Sequence, residues 1–215
     1  VTRTFVLGVD LDGVCGDYTA AFREIVAEDR GVLPHELPLE RSWDFHEWGL
    51  DDAEFERLHR YAVTERRMFR SMPPMPGVSD VLWRLSDAGV WIRVITHRLY
   101  VNWGHAAAIA DTVEWLDRVR IPYRDICFLG AKPEVEADVY IDDGPHNVVA
   151  LRASGNDVIV FDAPYNRDLA GPRATTWTEV EELVLEFAAA AGRPIQSALP
   201  GLDPGADRLD RRLGH

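Results

Sequence analysis

The sequence predicts an α/β fold: a parallel β-sheet flanked by helices, with a small, mainly helical segment inserted after the first strand. Three observations predict it. From Gly77 onward, short apolar runs suited to buried strands alternate with longer runs of helical period, the pattern of a parallel sheet wrapped by helices. Residues 31–75 change character, with Trp43, Phe45 and Trp48 set among charges, and end at a boundary of Pro73, Pro74, Pro76 and Gly77. Carboxylates or a hydroxyl close several of the apolar runs, the position at which open parallel sheets bind ligands.

Taken in order, Thr4 to Asp10 reads as a buried strand ending in carboxylates, and Tyr18 to Asp29 as a helix. A strong helix is expected from Asp52 to Arg67, opened by the capping pair Asp51 and Glu54, with Phe55, Leu58 and Ala62 on one face. After the proline boundary come a helix from Val78 to Ala88 stopped by Gly89, a strand from Val90 to Ile95, and a helix from Trp103 to Val119. Then follow strands at Ile126 to Leu129 and Val139 to Ile141, a helix at Asn147 to Ala153, and a strand at Val158 to Phe161. A last helix is opened by Thr178 and Glu181. The expected division is a catalytic core of residues 1–15 and 76–192, a helical cap of residues 16–75, and a tail of residues 193–215 without a periodic apolar face.

A chain of 215 residues allows one core of ordinary size plus an insertion. Its 47% hydrophobic and 27% charged residues suit a globular protein, and no apolar run approaches the roughly 20 residues needed to span a bilayer. No membrane is expected, and the opening residues read as a strand rather than a secretory leader, so the expected location is cytoplasmic. Cys15 and Cys127 form no CxxC pair and imply neither a disulfide framework nor a thiolate metal site. The formal net charge of -13, with no basic cluster interleaved with aromatics, argues against a nucleic-acid polymer as partner. A small phosphate ester is allowed, because local positive charge outweighs the global field at contact distance.

Four elements carry the candidate chemistry. The first is Asp10-Leu11-Asp12-Gly13-Val14, two carboxylates and a glycine directly after the first strand. The second is Val94-Ile95-Thr96-His97, a buried run ending in a hydroxyl able to donate to a phosphate oxygen. The third is Lys132, the one lysine in a chain that elsewhere uses arginine for every side-chain cation of this kind; a compact ammonium rather than a planar guanidinium is wanted there. The fourth is Val139-Tyr140-Ile141-Asp142-Asp143-Gly144, a second acidic pair. Adjacent carboxylates repel unless a cation or hydrogen-bond donors compensate, and hard oxygen donors without cysteine favour Mg²⁺ over zinc. Each element alone fits a turn or a cap. Four in succession at strand ends fit a common site better.

This order resembles the haloacid dehalogenase superfamily, whose motifs DxDx[TV], a strand-end Thr or Ser, a Lys and a late acidic pair read here as DLDGV, ITH, AKP and IDD. Within it, GVDLDGVCGDY, ITHR, AKPEVEADVYIDDGPHN and FDAPYN are similar to the 5'(3')-deoxyribonucleotidase branch. The resemblance implies a Rossmann-like sheet and an Mg²⁺-dependent phosphomonoesterase. By it, Asp10 is the nucleophile and a metal ligand. Asp12 binds the metal through its carbonyl and serves as general acid, then base. Asp142 or Asp143 completes the metal site, and Thr96 and Lys132 bind the phosphoryl oxygens. Asp12 points to phosphoryl rather than dehalogenase chemistry, because a departing halide needs no proton.

Specificity is expected from the cap. Phe45, Trp48 and Phe69 are candidates to cover a flat group, His97 and Arg98 to touch substrate, and Tyr100 to reach the rim; packing is the competing role for the aromatics. His46, His59 and His105 read as surface or packing residues, Asn147 as an orienter of the acidic loop, and Pro164-Tyr165-Asn166 as a structural loop. The expected substrate is a small phosphate ester, foremost a nucleoside monophosphate such as a pyrimidine deoxyribonucleotide. A sugar phosphate or other metabolite phosphatase and a non-catalytic phosphate-binding module are the alternatives. Oligomeric state stays open, a homodimer included.

Overall fold

The computed structural model describes residues 4–99, 103–193 and 195. Tyr100 and nearly all of the expected tail lie outside them. The strands are β1 (Val6–Val9), β2 (Trp91–Thr96), β3 (Asp125–Phe128), β4 (Val139–Asp142), β5 (Val158–Phe161) and β6 (Arg173–Ala174). They form one parallel sheet in the order β3-β2-β1-β4-β5-β6. The chain moves from β1 outward to β2 and β3, then returns to the other side of β1 to lay down β4. The carboxyl ends of β1 and β4 therefore flank the topological switch point, where a crevice opens. Register puts Val9 beside both Val94 and Ile141, so Asp10, Thr96 and Asp142 emerge near one level.

Strand period separates the two faces of the sheet. Leu7, Val9, Val94, Ile141 and Ile159 pack in one cluster with Leu82, Trp115 and Val184, whereas Ile95, Tyr140, Val158 and Val160 pack opposite with Val148 and Leu151. The covering helices are α4 (Val78–Asp87), α5 (His105–Val119), α6 (Pro145–Ala153) and α7 (Trp177–Ala190). Among the described residues no helix is long and apolar enough to cross a membrane.

Between β1 and α4 lie α1 (Tyr18–Arg30), α2 (Asp52–Thr64) and α3 (Met68–Ser71). Their apolar faces build a separate cluster around Phe22, Phe45, Trp48, Leu58 and Phe69. The two chain crossings between this unit and the sheet are paired: the Asp17 amide donates to the Pro73 carbonyl and the Met75 amide to the Cys15 carbonyl, both at 2.8 Å.

Local differences from the sequence reading have physical causes. The helix expected to reach Arg67 stops at Thr64, because Arg67 takes a left-handed conformation, φ 50°. Its guanidinium then bonds the fully buried Asp111 of α5 at 2.7 and 2.5 Å. The last helix is capped by Thr176 with Glu179, two residues before the expected pair. That frame buries Trp177 and delivers Glu181 to Arg84. Arg193, assigned to the tail, pairs with Asp138 at 2.7 Å.

Candidate active site

Asp10 directly follows β1 and is 8% exposed. The following loop turns through Gly13 at φ 87°, where an added Cβ would lie 2.0 Å from Asp143 Oδ2. Glycine is required there on both counts. The turn leaves Asp12 facing Arg98, whose Nε and Nη2 donate to its two carboxylate oxygens at 3.0 and 2.7 Å. Arg98 in turn donates to Thr112 Oγ1 at 2.9 Å and lies 4.0 Å over the Phe69 ring. One guanidinium thus joins the carboxylate loop, α5 and α3.

Lys132 sits in a single helical turn after β3, 3% exposed, with Nζ donating to Asp10 Oδ1 and Asp142 Oδ2, each at 2.6 Å. Asp142 Oδ1 accepts from the Gly144 amide at 2.9 Å and from Asn147 Nδ2 at 3.1 Å. The Tyr165 hydroxyl donates to Asp143, and Asn166 Nδ2 holds the Asp143 carbonyl at 2.8 Å. Asp10, Asp142 and Asp143 each offer a carboxylate oxygen within 4.8 Å of the others, all buried.

Three buried carboxylates beside one ammonium are short of positive charge. Burial, opposed by Lys132 and assisted by Asp142 and Asp12, raises the pKa of Asp10 to about 7. Burial and the charges of Asp10 and Asp142 also push Asp143 well above the carboxylate range. For Lys132, burial works against the ammonium, but Asp10 and Asp142 outweigh it and hold its pKa above the usual lysine value. The donor set is all hard oxygen and deficient in charge, which fits a divalent ion of the Mg²⁺ kind.

These groups open into a cavity of about 750 Å³, within the usual range for small-molecule sites. Asp10, Asp12, Lys132, Asp143, His97, Arg98, Phe45 and Phe69 line it. Thr96 and Asp142 stand behind the lining, 0% and 1% exposed, and Thr96 Oγ1 accepts from the Arg98 amide at 3.4 Å. Trp48 requires a correction: it does not reach the cavity. It is 2% exposed, packs on Phe22 and Phe45, and donates its indole N–H to the Pro38 carbonyl, so it belongs to the apolar cluster of α1, α2 and α3.

The structure adds residues that the sequence left unassigned or placed elsewhere. Arg41, 6% exposed, lies 3.9 Å from the Phe45 ring centroid and 4.4 Å from that of Tyr165. Trp43 packs edge-on against Tyr165 and His146 at the cavity wall. Tyr18, Phe55 and His59 complete the aromatic side. No local signal assigns Arg41, Trp43 or Tyr165 to the cavity: Trp43 reads only as an aromatic among charges and Tyr165 as part of a structural loop, and they meet only when the residues around 41–43 dock against that loop.

The description "5' nucleotidase, deoxy (Pyrimidine), cytosolic type C protein" matches residues 4–190 of the chain. A Chlorobaculum tepidum protein provisionally named a 5'(3')-deoxyribonucleotidase is 44% identical over 186 residues, 86% of this chain and 92% of its own. The 5'(3')-deoxyribonucleotidase of Bacillus subtilis is 33% identical over 183 residues, 84% of this chain and 98% of its own. Among solved structures, a phosphate-bound haloacid dehalogenase family hydrolase from Deinococcus radiodurans superposes with TM-score 0.59 at 13% identity, covering 87% of this chain and 98% of its own. A haloacid dehalogenase-like protein of Streptococcus pneumoniae gives 0.58 at 14% identity, with 85% and 99% covered. Sheet order, strand-end carboxylates and these likenesses converge: the fold is that of the haloacid dehalogenase-like structures, and the chain belongs to the type C deoxy-5'-nucleotidase family.

Proposed function

We propose that this enzyme is an Mg²⁺-dependent 5'(3')-deoxyribonucleotidase that hydrolyses nucleoside monophosphates through an aspartyl-phosphate on Asp10. The observation that carries the reading is the meeting of Asp10, Lys132 and the acidic pair beneath a cavity walled by Tyr18, Phe45, Phe55 and Phe69. Phosphoryl chemistry sits at one end, and ring faces suited to a base sit at the other.

In the proposed reaction an Asp10 carboxylate oxygen forms a bond to phosphorus as the ester P–O bond breaks, and Asp12 gives its proton to the leaving alkoxide. Water then attacks phosphorus, Asp12 takes its proton, and the P–O bond to Asp10 breaks to release inorganic phosphate. Both Asp12 oxygens accept from Arg98, which orients the carboxyl group and leaves each oxygen a second lone pair for the proton. Lys132, and Thr96 from beneath, are the proposed partners of the non-bridging oxygens. Asp10, Asp142 or Asp143 and the Asp12 carbonyl would hold Mg²⁺. When bound, it neutralises charge between nucleophile and phosphate.

Release of inorganic phosphate from dUMP, dTMP, nucleoside 3'-phosphates and sugar phosphates, with and without Mg²⁺, tests the proposal. Preference for the nucleotides, lost when the metal is chelated, is the expected result. Equal use of sugar phosphates removes the nucleotidase reading, and ligand binding without hydrolysis under any divalent ion removes the enzyme reading.

A further inference from the structure

Two polar atoms on the aromatic side of the cavity, Tyr18 Oη and His59 Nε2, are buried without a hydrogen-bond partner among the described residues. Both side chains line the cavity, and their rings meet edge to face with centroids 6.0 Å apart. Buried polar atoms are nearly always paired, so each exception asks for an explanation. Neighbouring polar groups are already committed: Arg98 to Asp12 and Thr112, Tyr165 to Asp143, Trp48 to Pro38. Phe45 and Phe55 stack at 19° with centroids 5.7 Å apart and offer only carbon.

Burial, opposed by Asp12 and assisted by Arg98, lowers the His59 pKa to about 4. The imidazole is therefore neutral at pH 7, with one nitrogen that donates and one that accepts. A tyrosine hydroxyl does both. Next to apolar ring faces, this pair suits a flat heterocycle whose faces pack on carbon and whose edge carries hydrogen-bonding atoms; a sugar offers hydroxyls but no such face.

We infer that Tyr18 Oη and His59 Nε2 are the specificity pair of this site, hydrogen-bonding the polar edge of a nucleobase while the phosphate rests at Asp10. This rests on the nucleotidase reading above and names the residues that read the base. Neither residue takes part in the chemistry, so the effect belongs in KM more than in kcat.

The test compares kcat/KM for dUMP with that for deoxyribose 5-phosphate, which carries the phosphate and sugar but no base, in the wild type, Tyr18→Phe, His59→Phe and His59→Gln. Tyr18→Phe removes one oxygen and keeps the ring, so the fold is preserved. The expected result is a fall of about tenfold in the dUMP to deoxyribose 5-phosphate ratio for Tyr18→Phe and for His59→Phe, mainly through KM for dUMP. Partial recovery is expected in His59→Gln, whose amide carries polar atoms at the ε position. A wild type that prefers dUMP, with a ratio within twofold of its own in both Phe variants, overturns the pair and leaves the nucleotidase reading standing. A wild type without preference for dUMP overturns both.

Discussion

Asp10→Asn keeps the size of the side chain at the end of β1 and removes the nucleophilic carboxylate. Turnover is predicted to fall at least about a thousandfold, with an unchanged circular dichroism spectrum; near-normal Mg²⁺-dependent phosphate release in this variant excludes an aspartyl-phosphate on Asp10. A second residue-scale prediction concerns His59. Its pKa, near 6.5 in the unfolded chain, is about 4 in the folded protein because burial disfavours the imidazolium. Between those values the unfolded chain binds more protons than the folded one, so stability rises with pH through the window and is lost as pH falls. Moving from about pH 7 to about pH 5 should cost on the order of 1–2 kcal/mol through this residue. Urea melts of wild type and His59→Phe at the two pH values test it, because the variant should lack this component. Equal pH dependence in both would mean that His59 is not held neutral.

At the scale of elements, several polar contacts tie α3 and its flanks to α5: Arg67 to Asp111, Arg70 to Glu114, and Arg118 to the Arg70 carbonyl. Asp111 of α5 is fully buried and its charge is matched by Arg67, whose own side chain is 43% exposed. Arg67→Ala keeps a Cβ, and with it the strain of the left-handed φ, and strands a buried carboxylate, so we predict a loss of stability read as a lower urea midpoint. In Arg67→Ala/Asp111→Asn most of that loss should be recovered, and a double-mutant cycle with no coupling would mean that the pair does not hold the elements together. The same contact explains one limit of sequence reading. Apolar period carries the helix past Thr64, and only the partner on α5 explains the turn at Arg67. Likewise Thr176-Glu179 and Thr178-Glu181 both fit a capping box, and burial of Trp177 with the Arg84 to Glu181 bond selects the first. Strand β6, at two residues, is too short to show a period. By contrast the α/β class and the strand-end carboxylates were legible, since each acidic pair is contiguous with the apolar strand that carries it. Arg41, Trp43 and Tyr165 were not, because they reach the cavity from loops whose place depends on tertiary docking. Trp48 failed for the opposite reason: an aromatic among charges looks available for a ligand, yet its face is needed by Phe22 and Phe45.

For the whole molecule, a chain of formal charge -13 brings Asp10, Asp142 and Asp143 together around Lys132. Folding has to bring these carboxylates out of water and together, and burial raises the pKa of Asp10 to about 7 and that of Asp143 well above its usual range. The folded protein therefore holds protons there that the unfolded chain has released, and this cluster loses stability as pH rises from about 4 toward 7. A divalent cation reverses the sign of that local balance, since it attracts the ionised carboxylates and competes with the protons. Mass action then raises the melting temperature with Mg²⁺ concentration, to an extent set by RT ln(1 + [Mg²⁺]/Kd). We predict a larger rise at about pH 8 than at about pH 6, because fewer protons must be displaced at the higher value. Asp143→Asn should diminish the rise at both, whereas Glu40→Gln, an exposed ion-pair partner of Arg167 on the cap loop, should leave it intact. Differential scanning fluorimetry across a Mg²⁺ series at the two pH values measures this without recourse to turnover. An equal rise in wild type and Asp143→Asn would assign the stabilisation to general screening of the acidic surface rather than to the buried cluster.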